Sequence, residues 1–151
     1  MILDNKLMKY VIFTRRTTAE VKEKCKALGF SEDYIEEIIE YLIENGYLND
    51  ELYVSKYISN VKKLKKKSIQ EIRFELMRKG IQEQYIEQNI DDDLRVFEFQ
   101  CAFELAKKKY KECADILKTK KYLAGKGYPM AVINKVTERL RDIENGEIER
   151  Y

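Results

Sequence analysis

Histidine and tryptophan are absent from this chain; proline occurs once, cysteine three times and glycine six times. Each shortage removes a class of protein. Without histidine there is no Ser-His or Cys-His nucleophile pair and no His-ligated metal. Cys25, Cys101 and Cys113 are an odd set with no C-x-x-C spacing. They suit neither a disulfide framework nor a zinc site, and they point to a reducing cytoplasm. So little glycine and proline leaves an all-β fold short of turn residues. No run approaches the roughly 18 consecutive apolar residues of a membrane span, and Met1 to Tyr10 has no apolar signal core. Charge of one sign is also lacking: 29 Lys plus Arg stand against 27 Asp plus Glu, a net of +2.

What is present is helical material. The 151 residues are 44% hydrophobic and 37% charged, with 11 Tyr and 6 Phe. That is enough for a core and too aromatic for a disordered polyelectrolyte. Lys, Glu, Leu and Ile dominate, which predicts an all-α, soluble, cytoplasmic protein. No catalytic residue, metal ligand or cofactor site is expected, and the chain is read as a monomer.

One pattern occurs three times. Aligned on Gly29, Gly80 and Gly127, the copies are offset by 51 and 47 residues. Twelve positions earlier stand Thr17, Ser68 and Asp115, each able to accept from the free amides that open a helix. Glu20 and Glu71 complete a capping box in the first two copies, where the third has Lys118. Four positions before each glycine lie Cys25, Leu76 and Leu123. Phe30, Ile81 and Tyr128 follow it directly, and Ile35, Ile86 and Ile133 lie six beyond it. The glycine is expected to close one helix in the left-handed conformation. A second begins at Ser31, at Gln82 or in the turn of Pro129, and in the outer copies it ends at Asn45-Gly46 and Asn145-Gly146. A further helix precedes each pair: Asp4 or Asn5 to about Phe13, from Asn49 or Asp50 through Leu64, and Asp93 to Lys111. The last is apolar on two sides, through Leu94, Phe97, Cys101 and Leu105 and through Val96, Phe99, Phe103 and Ala106, which predicts a helix between neighbours. The expected architecture is three tandem three-helix repeats, over 1–46, 47–92 and 93–151, forming one elongated, curved array.

The small net charge hides segregation. Residues 31–52 carry eight acids and no base, and 55–80 nine bases against two acids. Residues 81–98 return to −5, and 99–126 to +5. The densest basic run is Lys62, Lys63, Lys65, Lys66 and Lys67, followed by Arg73, Arg78 and Lys79. A second cluster is Lys107, Lys108, Lys109 and Lys111. Each reads either as a face for phosphate or acidic protein, or as a solvated lysine surface. Lysine has no planar fork for base edges, so DNA contact through these runs would be sequence-independent. The acidic stretch from Glu32 to Glu44 is a solvated helix face, or one that meets a basic partner. Tyr34, Tyr41, Tyr47, Tyr53, Tyr57, Tyr85 and Tyr110 are interface anchors or half-buried packing residues; Tyr57 suits packing best. Gly125-Lys126-Gly127 lacks the spacing of a phosphate loop.

Three blocks carry a family resemblance. The first runs Thr14-Arg15-Arg16-Thr17-Thr18-Ala19-Glu20-Val21, Ala27-Leu28-Gly29-Phe30 and Asn45-Gly46-Tyr47-Leu48-Asn49-Asp50, with Tyr53 and Tyr57-Ile58. The second is Ile72-Arg73-Phe74-Glu75-Leu76-Met77-Arg78-Lys79-Gly80-Ile81, and the third Lys121-Tyr122-Leu123-Ala124-Gly125-Lys126-Gly127-Tyr128. Together they resemble the RecX family over nearly the whole chain. Two features depart from it: Lys65-Lys66-Lys67-Ser68 stands where the family often has glycine with proline or a small residue, and the first repeat begins almost at residue 1. The resemblance implies a non-enzymatic protein that binds RecA nucleoprotein filaments, with DNA inside them, and restrains strand exchange and ATPase activity in repair, recombination and the SOS response. The Lys62–Lys79 residues named above are then candidate RecA or DNA contacts, and Lys107–Lys111 secondary ones. The residues themselves leave two other readings open, a DNA-binding protein in its own right and a helical adaptor for a different protein.

Overall fold

The computed structural model describes residues 1–64 and 66–146, and every regular element among them is α-helical. The helices are α1 (Asn5–Phe13), α2 (Thr18–Ala27), α3 (Glu32–Glu44), α4 (Asp50–Leu64), α5 (Ile69–Arg78), α6 (Glu83–Glu87), α7 (Asp92–Cys113), α8 (Ile116–Gly125) and α9 (Met130–Glu144).

Local chemistry sets their ends. Asp4 accepts from the Lys6 and Leu7 amides, Asn49 from Leu52 and Asp91 from Leu94, which start α1, α4 and α7. Thr17, Ser68 and Asp115 accept from the amides three residues on, at 3.1 Å each. The Thr17 box is closed by Glu20, which accepts from the Thr17 amide at 3.0 Å. Gly29, Gly80 and Gly127 all adopt positive φ, from 81° to 90°. The next residue then folds back: the amides of Phe30, Ile81 and Tyr128 donate to the carbonyls of Cys25, Leu76 and Leu123 at 3.1–3.2 Å. This is the helix-ending bond pattern that a left-handed residue permits.

Three expectations need correction. Val96 is 56% exposed, and the polar Glu98, at 4%, is buried on α7 instead. Pro129 is extended, with ψ 152°, so it caps α9 rather than forming its first turn. The helix α7 also runs two residues further than expected, to Cys113, where Ala114 turns left-handed.

The described residues gather into two compact units. Unit 1 comprises Met1–Ser59 and Glu75–Asn89; unit 2 comprises Asn60–Phe74 and the chain from Ile90 onward. The core of unit 1 includes Leu7, Val21, Cys25, Ile38 and Leu42, that of unit 2 Ala102, Ala106, Leu123, Ile133 and Val136. Each of the larger aliphatic side chains contributes about 1.5–3 kcal/mol by burial.

One junction recurs in both units. In unit 1 the Thr17 hydroxyl donates to the Lys79 carbonyl at 2.7 Å, and the Thr18 amide donates to Asp50 at 2.9 Å. In unit 2 the Ser68 hydroxyl donates to the Lys126 carbonyl at 3.2 Å, and the Ile69 amide to Glu98 at 2.7 Å. The opening of one helix is thus tied to the turn that closes another, through the carbonyl just before its glycine. Close approach explains the glycines. A Cβ on Gly80 would lie 2.2 Å from the Ala19 Cβ, and one on Gly127 2.9 Å from the Ser68 Oγ.

Candidate interaction surfaces

The basic run that is continuous in sequence is scattered by the fold, because it crosses from α4 through a turn and along α5. At the end of α4, Lys62 pairs with Asp93 of α7, and Lys63 and Lys66 are exposed. These three, with Leu64, Phe97 and Gln100, line a groove of about 350 Å³ in unit 2. Lys65 lies outside the described residues. Lys67 is only 9% exposed, beside Cys101, whose thiol accepts from its backbone, so its side chain offers little surface.

Arg73 and the pair Arg78 and Lys79 leave α5 at different places. Arg73 is half-buried and lines a cavity of unit 2 with Arg95 of α7 and Lys135 of α9. Arg78 and Lys79 belong to unit 1, where they line a groove with Tyr10, Glu20 and Lys24. Lys79 Nζ lies 3.5 Å from Glu20, and Arg16 lies 4.0 Å from the same carboxylate. The Arg16 guanidinium stacks 3.9 Å from the centre of the Tyr10 ring, with Lys24 at 5.4 Å. Arg16 and Lys24 therefore stand over the tyrosine ring, and Arg78 and Lys79 line the same groove beside Glu20 and Glu23. Counting charge along the chain could not find it, since Arg16 and Lys24 lie more than 50 residues from Arg78 and Lys79; the Arg15-Arg16 pair was the available signal.

The second lysine cluster divides as well. Four lysines within five residues cannot share a face of α7. Lys107 turns toward the Phe103 ring, at 4.9 Å, and pairs with Glu104 at 2.9 Å. Lys109 lies over the Tyr122 ring of α8, at 5.3 Å, where Lys126 also approaches. Lys108 and Lys111 are exposed. Lys111, Phe103 and Tyr110 border a depression of about 530 Å³ against α9, and the Tyr110 hydroxyl donates to Glu144 at 2.8 Å.

The acidic face is simpler. Glu32, Asp33, Glu36, Glu37, Glu40 and Glu44 of α3 are all exposed and have no ion-pair partner among the described residues. The tyrosines mostly serve packing: Tyr34 meets Phe30 edge to face at 5.1 Å, and Tyr57 donates to Glu75, while Tyr47 is exposed.

The Tyr110 hydroxyl is raised above its ordinary value first by its bond to Glu144, whereas other shifts come from burial. Burial pushes the Glu98 carboxyl above its ordinary value, against the Ile69 hydrogen bond and the charges of Arg73 and Arg95. Burial likewise raises the Cys25 and Cys101 thiols, keeping both protonated and poorly nucleophilic. Among the described residues no group of three or more Cys, Asp or Glu side chains is gathered to hold a metal ion, and no helix is long and apolar enough to cross a membrane.

No protein-family model matches the chain. It is 32% identical to the regulatory protein RecX of Clostridium perfringens (strain 13 / Type A), a match that covers 93% of this chain and 69% of that protein. The RecX of Clostridium beijerinckii is 29% identical, over 87% of this chain and 64% of that one. The crystal structure of RecX from Lactobacillus salivarius superposes with a TM-score of 0.82 at 27% identity, covering 91% of this chain and 93% of that one.

Proposed function

Since the chain belongs to the RecX family, we propose that it binds filaments of the RecA recombinase on DNA and restrains their ATP hydrolysis and strand exchange. The carrying observation is the match to regulatory protein RecX over 93% of the chain. The chain acts by contact in this reading, as a cytoplasmic regulator with no chemistry of its own, which accords with a sequence without histidine. Its binding surface is a set of separate cationic points. Lys63 and Lys66 form one and Arg16, Lys24, Arg78 and Lys79 another, each placed to meet a carboxylate or a phosphate.

A second reading, DNA binding without RecA, is favoured by the same cations. Sedimentation separates the two. Filaments of RecA on single-stranded DNA should carry the protein into the pellet at moderate salt, while DNA alone should carry little. Pelleting with DNA alone, with log K falling by about 0.7 per phosphate contacted for each decade of salt, would favour the DNA reading. Protein that stays in the supernatant with RecA filaments would reject the proposal.

A further inference from the structure

In unit 2, α5, α7 and α9 enclose a cavity of about 590 Å³ with an apolar floor and a cationic rim. Ile69 and Ile90 are buried and Phe99 and Val132 half-buried along it. Arg73, Arg95 and Lys135 enter from three different helices. The one acid in the wall is Glu98, already bonded to the Ile69 amide at 2.7 Å. Three cations against one carboxylate leave a net charge of +2.

Two of these cations, Arg95 and Lys135, are not needed for the junction. The offset of 47 residues that sets Gly80 against Gly127 sets Lys135 against Gln88, and the 48 residues from Asp50 to Glu98 set Arg95 against Tyr47. Unit 1 builds the same junction without either charge. Lys135 has no ion-pair partner among the described residues. Among the described residues the ion pair of Arg95 is with Asp92, at 3.3 Å on its own helix, with both side chains well exposed. Such a pair contributes little, so Arg95 is free to turn to another carboxylate.

We propose that this cavity is a docking site for an acidic peptide segment carrying an apolar side chain. The apolar residue fills the floor, and flanking carboxylates meet the forked guanidinium of Arg95 and the ammonium of Lys135. The volume suits one or two side chains, within the range of about 300–1,000 Å³ for bound small groups. A nucleic acid would satisfy the rim, but the floor is mainly aliphatic and offers only Phe99 for stacking. The site stands apart from the RecA reading, because its test contains no recombinase.

The probe is a short fluorescein-labelled peptide in which Leu and Phe stand between Asp and Glu residues, titrated with the intact chain and followed by anisotropy. Saturable binding is expected, weakened about tenfold by Lys135→Glu and again by Arg95→Glu. Ala131→Glu, which places a like charge on the exposed rim, should abolish it. Lys6→Glu, on α1 of unit 1, should leave it unchanged. Circular dichroism confirms that each variant is folded. Absence of saturable binding, equal binding by the rim variants and the parent chain, or rim-dependent binding of a labelled oligonucleotide in place of the peptide would each overturn the site.

Discussion

In unit 1 the junction presses the Ala19 methyl against bare backbone: Gly80 has room for its hydrogen alone, because the Ala19 Cβ stands 2.2 Å from where a side chain would begin. In unit 2 the same place, at Gly127, faces the Ser68 hydroxyl at 2.9 Å and the flexible Gln70 at 3.5 Å. The acids differ too. Asp50 is half-buried and accepts from both the Thr18 amide and the Thr18 hydroxyl, whereas Glu98 is 4% exposed and accepts from one amide. One junction is tight and its acid half-exposed, the other looser in packing but with a carboxylate deep in the protein. A shared backbone plan therefore leaves room for different sensitivities, steric in unit 1 and electrostatic in unit 2.

The steric side should give the largest effects. Gly80→Ala combines a left-handed backbone with a contact that a rigid methyl cannot relieve, and should cost about 2–4 kcal/mol in denaturant unfolding. Gly127→Ala should cost less, about 1–3 kcal/mol, because its methyl would meet the Ser68 hydroxyl at 2.9 Å rather than a Cβ at 2.2 Å, although that hydroxyl is held by two hydrogen bonds. Gly29→Ala, at φ 83° with nothing within 4 Å, isolates the backbone penalty alone, about 1 kcal/mol. Any other ranking would break the comparison.

Next comes the buried acid. Glu98→Ala leaves the Ile69 amide without its acceptor and should cost about 1–3 kcal/mol. The folded chain holds the Glu98 proton to higher pH than the unfolded chain does, since burial raises its pKa. The native state therefore binds more protons between the ordinary carboxylate value and the folded one, and this group's contribution to stability falls as pH rises through that window. Glu98→Gln keeps an acceptor for Ile69 and removes the slope. A variant whose stability-against-pH curve matches the parent's there would exclude Glu98 as its source.

The hydroxyls sharpen the comparison further. Thr17→Val and Ser68→Ala each remove a helix cap and a bond to the neighbouring turn, at about 1–2 kcal/mol by thermal melting. Thr17 should cost more, since its bond is 2.7 Å against 3.2 Å for Ser68. The smallest effect is expected at Tyr128, which is 4% exposed and whose hydroxyl has no hydrogen-bond partner among the described residues. Tyr128→Phe should change stability by less than about 1 kcal/mol, toward higher stability if at all.

The helices were legible in the sequence wherever their limits are written locally. Thr17, Ser68 and Asp115 cap because of their own side chains, and Gly29, Gly80 and Gly127 close helices because of their own backbones. The junction was not legible, because Thr17 meets Lys79 and Ser68 meets Lys126 across about sixty residues of chain. Glu98 reads in sequence as one more acid beside the two apolar sides of its helix, and nothing local shows that it faces the opening of α5. The lysine run misled for the opposite reason: proximity in sequence suggested one patch, but the turn between α4 and α5 buries Lys67, and Lys62 falls in unit 2 while Lys79 falls in unit 1. The groove beside Tyr10, assembled from α1, α2 and α5, could be recognised only once those helices were placed.

The most direct test of the regulatory reading is the rate of DNA-dependent ATP hydrolysis by RecA, followed as this protein is added up to equimolar amounts. A progressive fall in that rate, with slower strand exchange in parallel, is expected. Rates of both reactions that stay unchanged at equimolar protein would contradict it.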